Sequence, residues 1–200
     1  VGASTPIINM LIGFFMGIST GAGVVIAQFF GAGNTCKMKR AIHNSIALTL
    51  VMGVVLTIVG LLFNDPILKA IGVPSEVFSE ASTYLSIYFW SLIFVMVYNM
   101  GSGILRSVGD SKRPLYFLIF SSVVNIILDF LFVKYFHFGV AGAGYATLIA
   151  QAISAIMVMY VLMKTEDDYK VILKEIGFDK EILLKIIKIG LPTGFQQSIV

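Results

Sequence analysis

Residues 41–64 read AIHNSIALTLVMGVVLTIVGLLFN, without a single Asp, Glu, Lys or Arg. About 20 predominantly apolar residues are what a helix needs to cross the hydrocarbon core of a bilayer. Working outward, 1–36, 81–105 and 135–163 are equally free of charge, 114–133 contains Asp129 alone, and 189–200 begins another apolar run of about half that length. Of the 200 residues, 58% are hydrophobic and 12% charged, and the mean hydropathy is +0.93. A soluble domain keeps about a quarter of its residues charged, so an ordinary cytosolic enzyme is excluded. Within lipid only helices or closed barrels satisfy every backbone polar group, and runs of this length without period-two alternation select helices.

The reading is therefore an all-α polytopic membrane protein, with complete helices over about 5–30, 41–63, 81–105, 114–136 and 140–163 and a further one from 189 onward. The breaks carry turn chemistry at Gly31-Ala32-Gly33-Asn34, Asn64-Asp65-Pro66, Gly109-Asp110-Ser111 and His137-Phe138-Gly139. Loops 34–40, 106–113 and 164–188 hold twelve of the fourteen Lys and Arg, and the opposite side holds Lys69 and Lys134. The positive-inside rule makes those three loops cytoplasmic in a multi-pass protein of the cell membrane and starts the chain on the outer side. The first residue is Val1, and the expectation is a piece of a larger protein: 1–163 as the N-terminal transmembrane bundle, 164–188 as a cytoplasmic amphipathic linker, and 189–200 as the start of a second bundle. Residues 64–80, between Pro66 and Pro74, suit a short helix at the outer interface. The linker, with Val171, Ile172, Ile176, Ile182 and Ile186 among lysines and acids, reads as an interfacial helix or a bundle linker lying on lipid headgroups.

Asp129 carries the chemistry. An ionised carboxylate at membrane depth costs at least about 2.5 to 3.5 kcal/mol, so it marks a functional site by default. Asn125 lies one turn earlier on the same face, and a rise of 1.5 Å per residue puts Thr147 of the next, antiparallel helix at a similar depth. Asp129, Asn125 and Thr147 can converge as hard oxygen ligands for a proton or a sodium ion. The alternative is a neutral carboxylic acid that ties two helices together by hydrogen bonds. Tyr84, Tyr88, Ser91, Tyr98 and Ser102, with Asn99 beside them, form a stripe that either lines a cavity for aromatic or cationic substrates or packs between helices. Gly13, Gly17 and Gly21, and Gly139, Ala143, Ala146 and Ala150, are small-residue packing faces.

Other chemistry is set aside. One cysteine forms no disulfide framework, and two distant histidines have no zinc-site spacing. A single embedded Asp excludes an aspartyl intramembrane protease. His43 at a cytoplasmic helix end and His137 at the outer rim are misplaced for a serine one, and no GxxxxGK[ST] loop is present. Cys36 is read as incidental. No enzyme activity, cofactor or nucleic-acid partner is expected.

The assembled residues resemble the multidrug and toxic compound extrusion (MATE) family. The carrying stretches are Val25-Ile26-Ala27-Gln28-Phe29-Phe30-Gly31-Ala32-Gly33-Asn34, then Leu105-Arg106-Ser107-Val108-Gly109-Asp110-Ser111-Lys112-Arg113-Pro114. Asn125-Ile126-Ile127-Leu128-Asp129, Gly139-Val140-Ala141-Gly142-Ala143-Gly144-Tyr145-Ala146-Thr147 and Gly190-Leu191-Pro192 follow in order. The resemblance implies most of one six-helix bundle of a twelve-helix, two-bundle transporter: helices two to six and the start of the seventh. Such halves rock around a central cavity. It also implies export of amphipathic organic cations by proton or sodium antiport, with Asp129, Asn125 and Thr147 at the cation-coupling site and Asn99, Gln151 and Tyr98 lining the cavity. The remaining helices of the full-length protein are then its partners, together with the bilayer. Competing readings are a lipid-linked saccharide flippase of the same superfamily, whose cavity should carry buried Arg or Lys absent from these helix interiors, and a membrane structural subunit in which Asp129 only bolts helices.

Overall fold

The computed structural model describes residues 5–70 and 72–199; the expected elements' residues 1–4, Ile71 and Val200 lie outside them. Seven α-helices run among the described residues: α1 (Thr5–Gly31), α2 (Thr35–Leu62), α3 (Asn64–Ala70), α4 (Phe78–Ser107), α5 (Lys112–Asp129), α6 (Gly139–Lys164) and α7 (Lys180–Ile199). Thr35–Leu62, Phe78–Ser107, Lys112–Tyr135 and Gly139–Lys164 are each long and apolar enough to cross a membrane, and Phe15–Gly31 of α1 is a shorter apolar stretch.

The helix ends show where local chemistry prevails over hydropathy. α2 starts at Thr35, ahead of Lys37, Lys39 and Arg40, because the Asn34 side chain accepts the Lys37 amide at 3.1 Å and caps it. The basic stretch expected as a loop over 34–40 is thus largely the first turns of a helix. α5 ends at Asp129 and passes into a π-helical turn over Phe130–Tyr135, where an α-helix was expected to continue to 136. Beyond it the chain reverses through His137 and Gly139, with φ of 54° and 56°; Gly139 adopts this left-handed backbone without steric cost.

The largest departure from expectation is at 164–188. No helix lies on headgroups between 165 and 179; the chain is irregular, with a single 3-10 turn at Leu173–Glu175, and α7 begins at Lys180 rather than near 189. Asp179 caps it, its Oδ1 accepting the Glu181 and Ile182 amides at 3.1 and 3.3 Å. Three of the apolar residues assigned to an interfacial face point into protein: Val171, Ile182 and Ile186 are buried in the main core with Ile26, Ile42, Leu105 and Leu162, whereas Ile172 is exposed. α7 continues through Pro192, which has no amide hydrogen to give its helix.

That core is built by α1, α2, α4, α6 and α7, with α1 against α7, α4 against α6 and α5 along α6. The α1–α7 contact is main chain on main chain. A Cβ added at Gly17 would collide with the Gly194 Cα, and one at Gly21 would lie 2.6 Å from the Gly190 nitrogen. α5 is the opposite case: Leu118, Ile119, Phe120, Ile126 and Ile127 are all about half exposed or more, as suits a surface toward lipid or further helices. The basic segments share one end of the bundle. Lys39 meets Asp168 at 3.3 Å, and Arg40 lies 3.7 Å from Asp179. Hydrogen bonds from Thr165 and Tyr169 hold the exposed Asp167 carboxyl below the usual carboxylate range, with a smaller pull from Arg113 in the first turn of α5.

Overpacking a close contact costs about 1–3 kcal/mol or more. Gly17→Val in the full-length protein is therefore expected to lower the midpoint of thermal unfolding by several degrees or to prevent folding. Gly31→Ala, with nothing within 4 Å of its added Cβ, should leave that midpoint unchanged.

Candidate functional site

Asp129 ends α5 at the junction with the π-helical turn, half-buried, and its Oδ1 is buried with no hydrogen-bond partner. A buried carboxylate oxygen left unpaired is costly, and native structures avoid it unless the group has work to do. Asn125, one turn earlier on the same helix, donates from Nδ2 to Thr147 Oγ1 of α6 across 3.5 Å, a long bond. The structure thus brings Asn125 and Thr147 together between α5 and α6, with Asp129 a turn beyond. The Asn125 carbonyl and the second lone pair of Thr147 Oγ1 remain as acceptors in chemical inventory. Carboxylate, amide and hydroxyl oxygens are hard donors that suit a proton or a sodium ion. Ser121, the next polar residue along this stripe, is buried and returns its hydroxyl to Leu118 O at 3.1 Å, so it serves its own helix.

The residues expected to line a cavity divide. Gln151 is half-buried on α6, one turn beyond Thr147. Asn99 is half-buried on α4 and donates to Val95 O at 2.9 Å, which leaves its carbonyl oxygen for other partners. The Tyr98 hydroxyl donates to Pro114 O at 2.8 Å and its side chain packs against the main core, so it fastens α4 to α5. Its stripe neighbours also pack, since Ser91 is buried with its hydroxyl on Tyr88 O at 2.7 Å and the Tyr88 and Phe89 rings meet edge to face. Among His, Cys, Asp and Glu in the described residues, no group of three or more could hold a metal ion, so a cation here would rest on mixed oxygen donors around one carboxylate. Gln196 is exposed on α7.

Sequence reading assigned no role to the polar cluster on the first turns of α2. His43 and Asn44 are buried. Asn44 Nδ2 donates to Asp179 O at 2.7 Å, and the Ile172 amide donates to His43 Nε2 at 2.9 Å. Their polarity inside an apolar run was the available signal. Their partners, well over a hundred positions away, left no local trace.

The MatE family model matches residues 1–131. Over 207 aligned residues the chain is 32% identical to "Probable multidrug resistance protein YoeA" of Bacillus subtilis (strain 168), which covers 100% of this chain and 45% of that protein. It superimposes with a TM-score of 0.88 at 30% identity on the inward-facing conformation of a multidrug resistance MATE family transporter of the MOP superfamily, covering 98% of this chain and 46% of that one. The outward-facing conformation of such a transporter gives the same TM-score and identity, with 98% and 44% covered. The chain therefore spans somewhat less than half the length of the proteins it matches.

If Tyr98 fastens helices rather than contacting a ligand, Tyr98→Phe should cost only the worth of one hydrogen bond, about 0.5–1.5 kcal/mol. Full-length protein carrying it is expected to fold normally and to melt only slightly lower in a thermal-unfolding scan.

Proposed function

As the chain belongs to the MatE family, we propose that the full-length protein exports amphipathic organic cations by proton or sodium antiport, with this bundle supplying the coupling site at Asp129, Asn125 and Thr147. The observation that carries the reading is the orphaned, buried Oδ1 of Asp129 beside the Asn125–Thr147 pair. A neutral acid bolting two helices would use its oxygens in hydrogen bonds, whereas an acid that gains and loses a cation needs one oxygen uncommitted in the empty state. Occupation by a proton or sodium ion removes the net charge from the bundle interior and release restores it, so the two states favour different surroundings for α5 and α6.

Equal likeness to an inward-facing and an outward-facing transporter supports alternating access. It fits a bundle that keeps its own shape in both states and moves as a body against the other half. The charge pattern supports a cationic substrate over an anionic one, since the charge-poor runs 41–64, 81–105, 114–133 and 135–163 carry Asp129 and no Lys or Arg. The three basic segments at one end of the bundle are read as cytoplasmic by the positive-inside rule.

In proteoliposomes holding the full-length protein, Asp129→Asn is expected to reduce efflux of a cationic dye driven by an imposed proton or sodium gradient to background, while expression and monodispersity persist. Undiminished efflux by the variant refutes the coupling role, and comparing the two gradients in the wild type identifies the ion. With any cysteine outside residues 1–200 replaced by serine, a membrane-impermeant maleimide should label the exposed Cys36 in inside-out vesicles and not in right-side-out ones; the reverse pattern would invert the topology.

A further inference from the structure

His43 is a buried titratable side chain with no part in the proposed coupling. It sits on the third turn of α2 and is 3% exposed. Both ring nitrogens are committed, and the partners fix which one carries hydrogen. Nδ1 lies 2.7 Å from the Lys39 carbonyl oxygen, which can only accept, so Nδ1 bears the hydrogen. Nε2 lies 2.9 Å from the Ile172 nitrogen, whose N–H can only donate, so Nε2 presents its lone pair. The docked arrangement therefore requires the neutral imidazole in one tautomer.

A second arrangement is at hand. A Glu175 carboxylate oxygen lies 3.9 Å from the same Nε2, beyond hydrogen-bond reach but within ion-pair reach. Ile172 and Glu175 flank one 3-10 turn, closed by the Glu175 amide on Ile172 O at 2.9 Å. If Nε2 gains a proton, it faces the Ile172 N–H donor to donor, and that bond fails. The imidazolium then has Glu175 as the acceptor a small shift away, while Nδ1–H keeps Lys39 O throughout.

We propose that His43 is a proton-operated latch for the 165–179 connection: neutral, it grips the Ile172 amide, and protonated, it releases that amide and takes the Glu175 carboxylate instead. The latch is closed at high pH and opens as pH falls. His43 lines a cavity of about 410 Å³ with Cys36, Lys39, Arg40, Glu175 and Asp179, which gives protons a path to a ring that is otherwise enclosed. The charged groups around it are Lys39, paired with Asp168, and Arg40, near Asp179, from α2 and the connection, together with Glu175. Among the groups named around this cavity, the imidazole is the one whose bond from the Ile172 amide requires its neutral form. The other histidine, His137, lies exposed in the turn before α6. The connection held by the latch leads directly into Asp179 and α7. The argument stands apart from the coupling site.

The test uses the full-length protein in nanodiscs. Nitrogen-15 histidine spectra, with His43 assigned by its loss in His43→Gln, should show hydrogen on Nδ1 alone at pH 7.5 and on both nitrogens at pH 5.5. Hydrogen–deuterium exchange of peptides covering 171–175, corrected for the intrinsic effect of pH, should show protection about tenfold lower at pH 5.5 than at 7.5, the scale of one lost hydrogen bond. His43→Gln should remove that pH dependence, and Glu175→Gln should move the opening to lower pH by depriving the imidazolium of its counter-charge. Hydrogen on Nε2 at pH 7.5, or equal corrected protection at both pH values, overturns the latch. If His43→Gln does not fold, the exchange protection of 171–175 in the wild type and in Glu175→Gln decides alone.

Discussion

The near contact of two backbones, α1 and α7 at Gly17, Gly21, Gly190 and Gly194, is the constraint on which the rest of the arrangement depends. In lipid there is no hydrophobic force to press apolar helices together, since acyl chains are as apolar as leucine. Association must come from close packing, and main-chain atoms can touch only where no side chain stands between them. Once α7 lies on α1, Ile182 and Ile186 enter the core beside Ile26 and Ile42. The chain from Thr165 then has to return across α2 to reach Asp179, and this brings Val171 under the bundle and Ile172 onto His43.

Polar side chains inside the bundle mostly satisfy themselves locally. Ser45, Thr49 and Ser154 return their hydroxyls to the carbonyl four residues back on their own helices, at 2.6, 2.8 and 3.0 Å. A hydroxyl can do this because it is a donor and the helix offers surplus acceptor capacity. An ionised carboxylate cannot, because a helix interior has no free N–H to give it. Asp129 is therefore dependent on something outside its own helix, and the location of that dependence beside Asn125 and Thr147 is what separates it from the other polar residues of the spans.

The spans were legible because the physics that defines them is local. A charge-free run such as 41–64 admits one interpretation whatever surrounds it, and the lysines and arginines sorted themselves by end of the bundle without reference to packing. The meeting of Asn125 and Thr147 was legible for a related reason: helical periodicity and rise alone bring them to a common depth. What stayed hidden depends on contacts far apart in sequence. The apolar residues of 166–188 carry a helical pattern equally suited to a lipid surface and to a protein core, and the burial of Val171 and Ile186 follows from the position of α1. The π-helical turn at Phe130–Tyr135 has no residue signature at all. The tyrosine stripe was ambiguous between cavity and packing, and the bond from Tyr98 to Pro114 resolved one member of it.

The connection between α6 and α7 has a mechanical consequence. Extended and unattached, residues 165–179 could reach about 50 Å, and a tether of that length would let α7 wander. Here the chain is pinned in succession at Leu162 by Val171, at His43 by Ile172 and at Asn44 by Asp179, so almost none of that contour is free. The segment behaves as a tie rod with no slack: any displacement of α7 must be transmitted to α2 and α6 within the same bundle, or must first undo one of the pins.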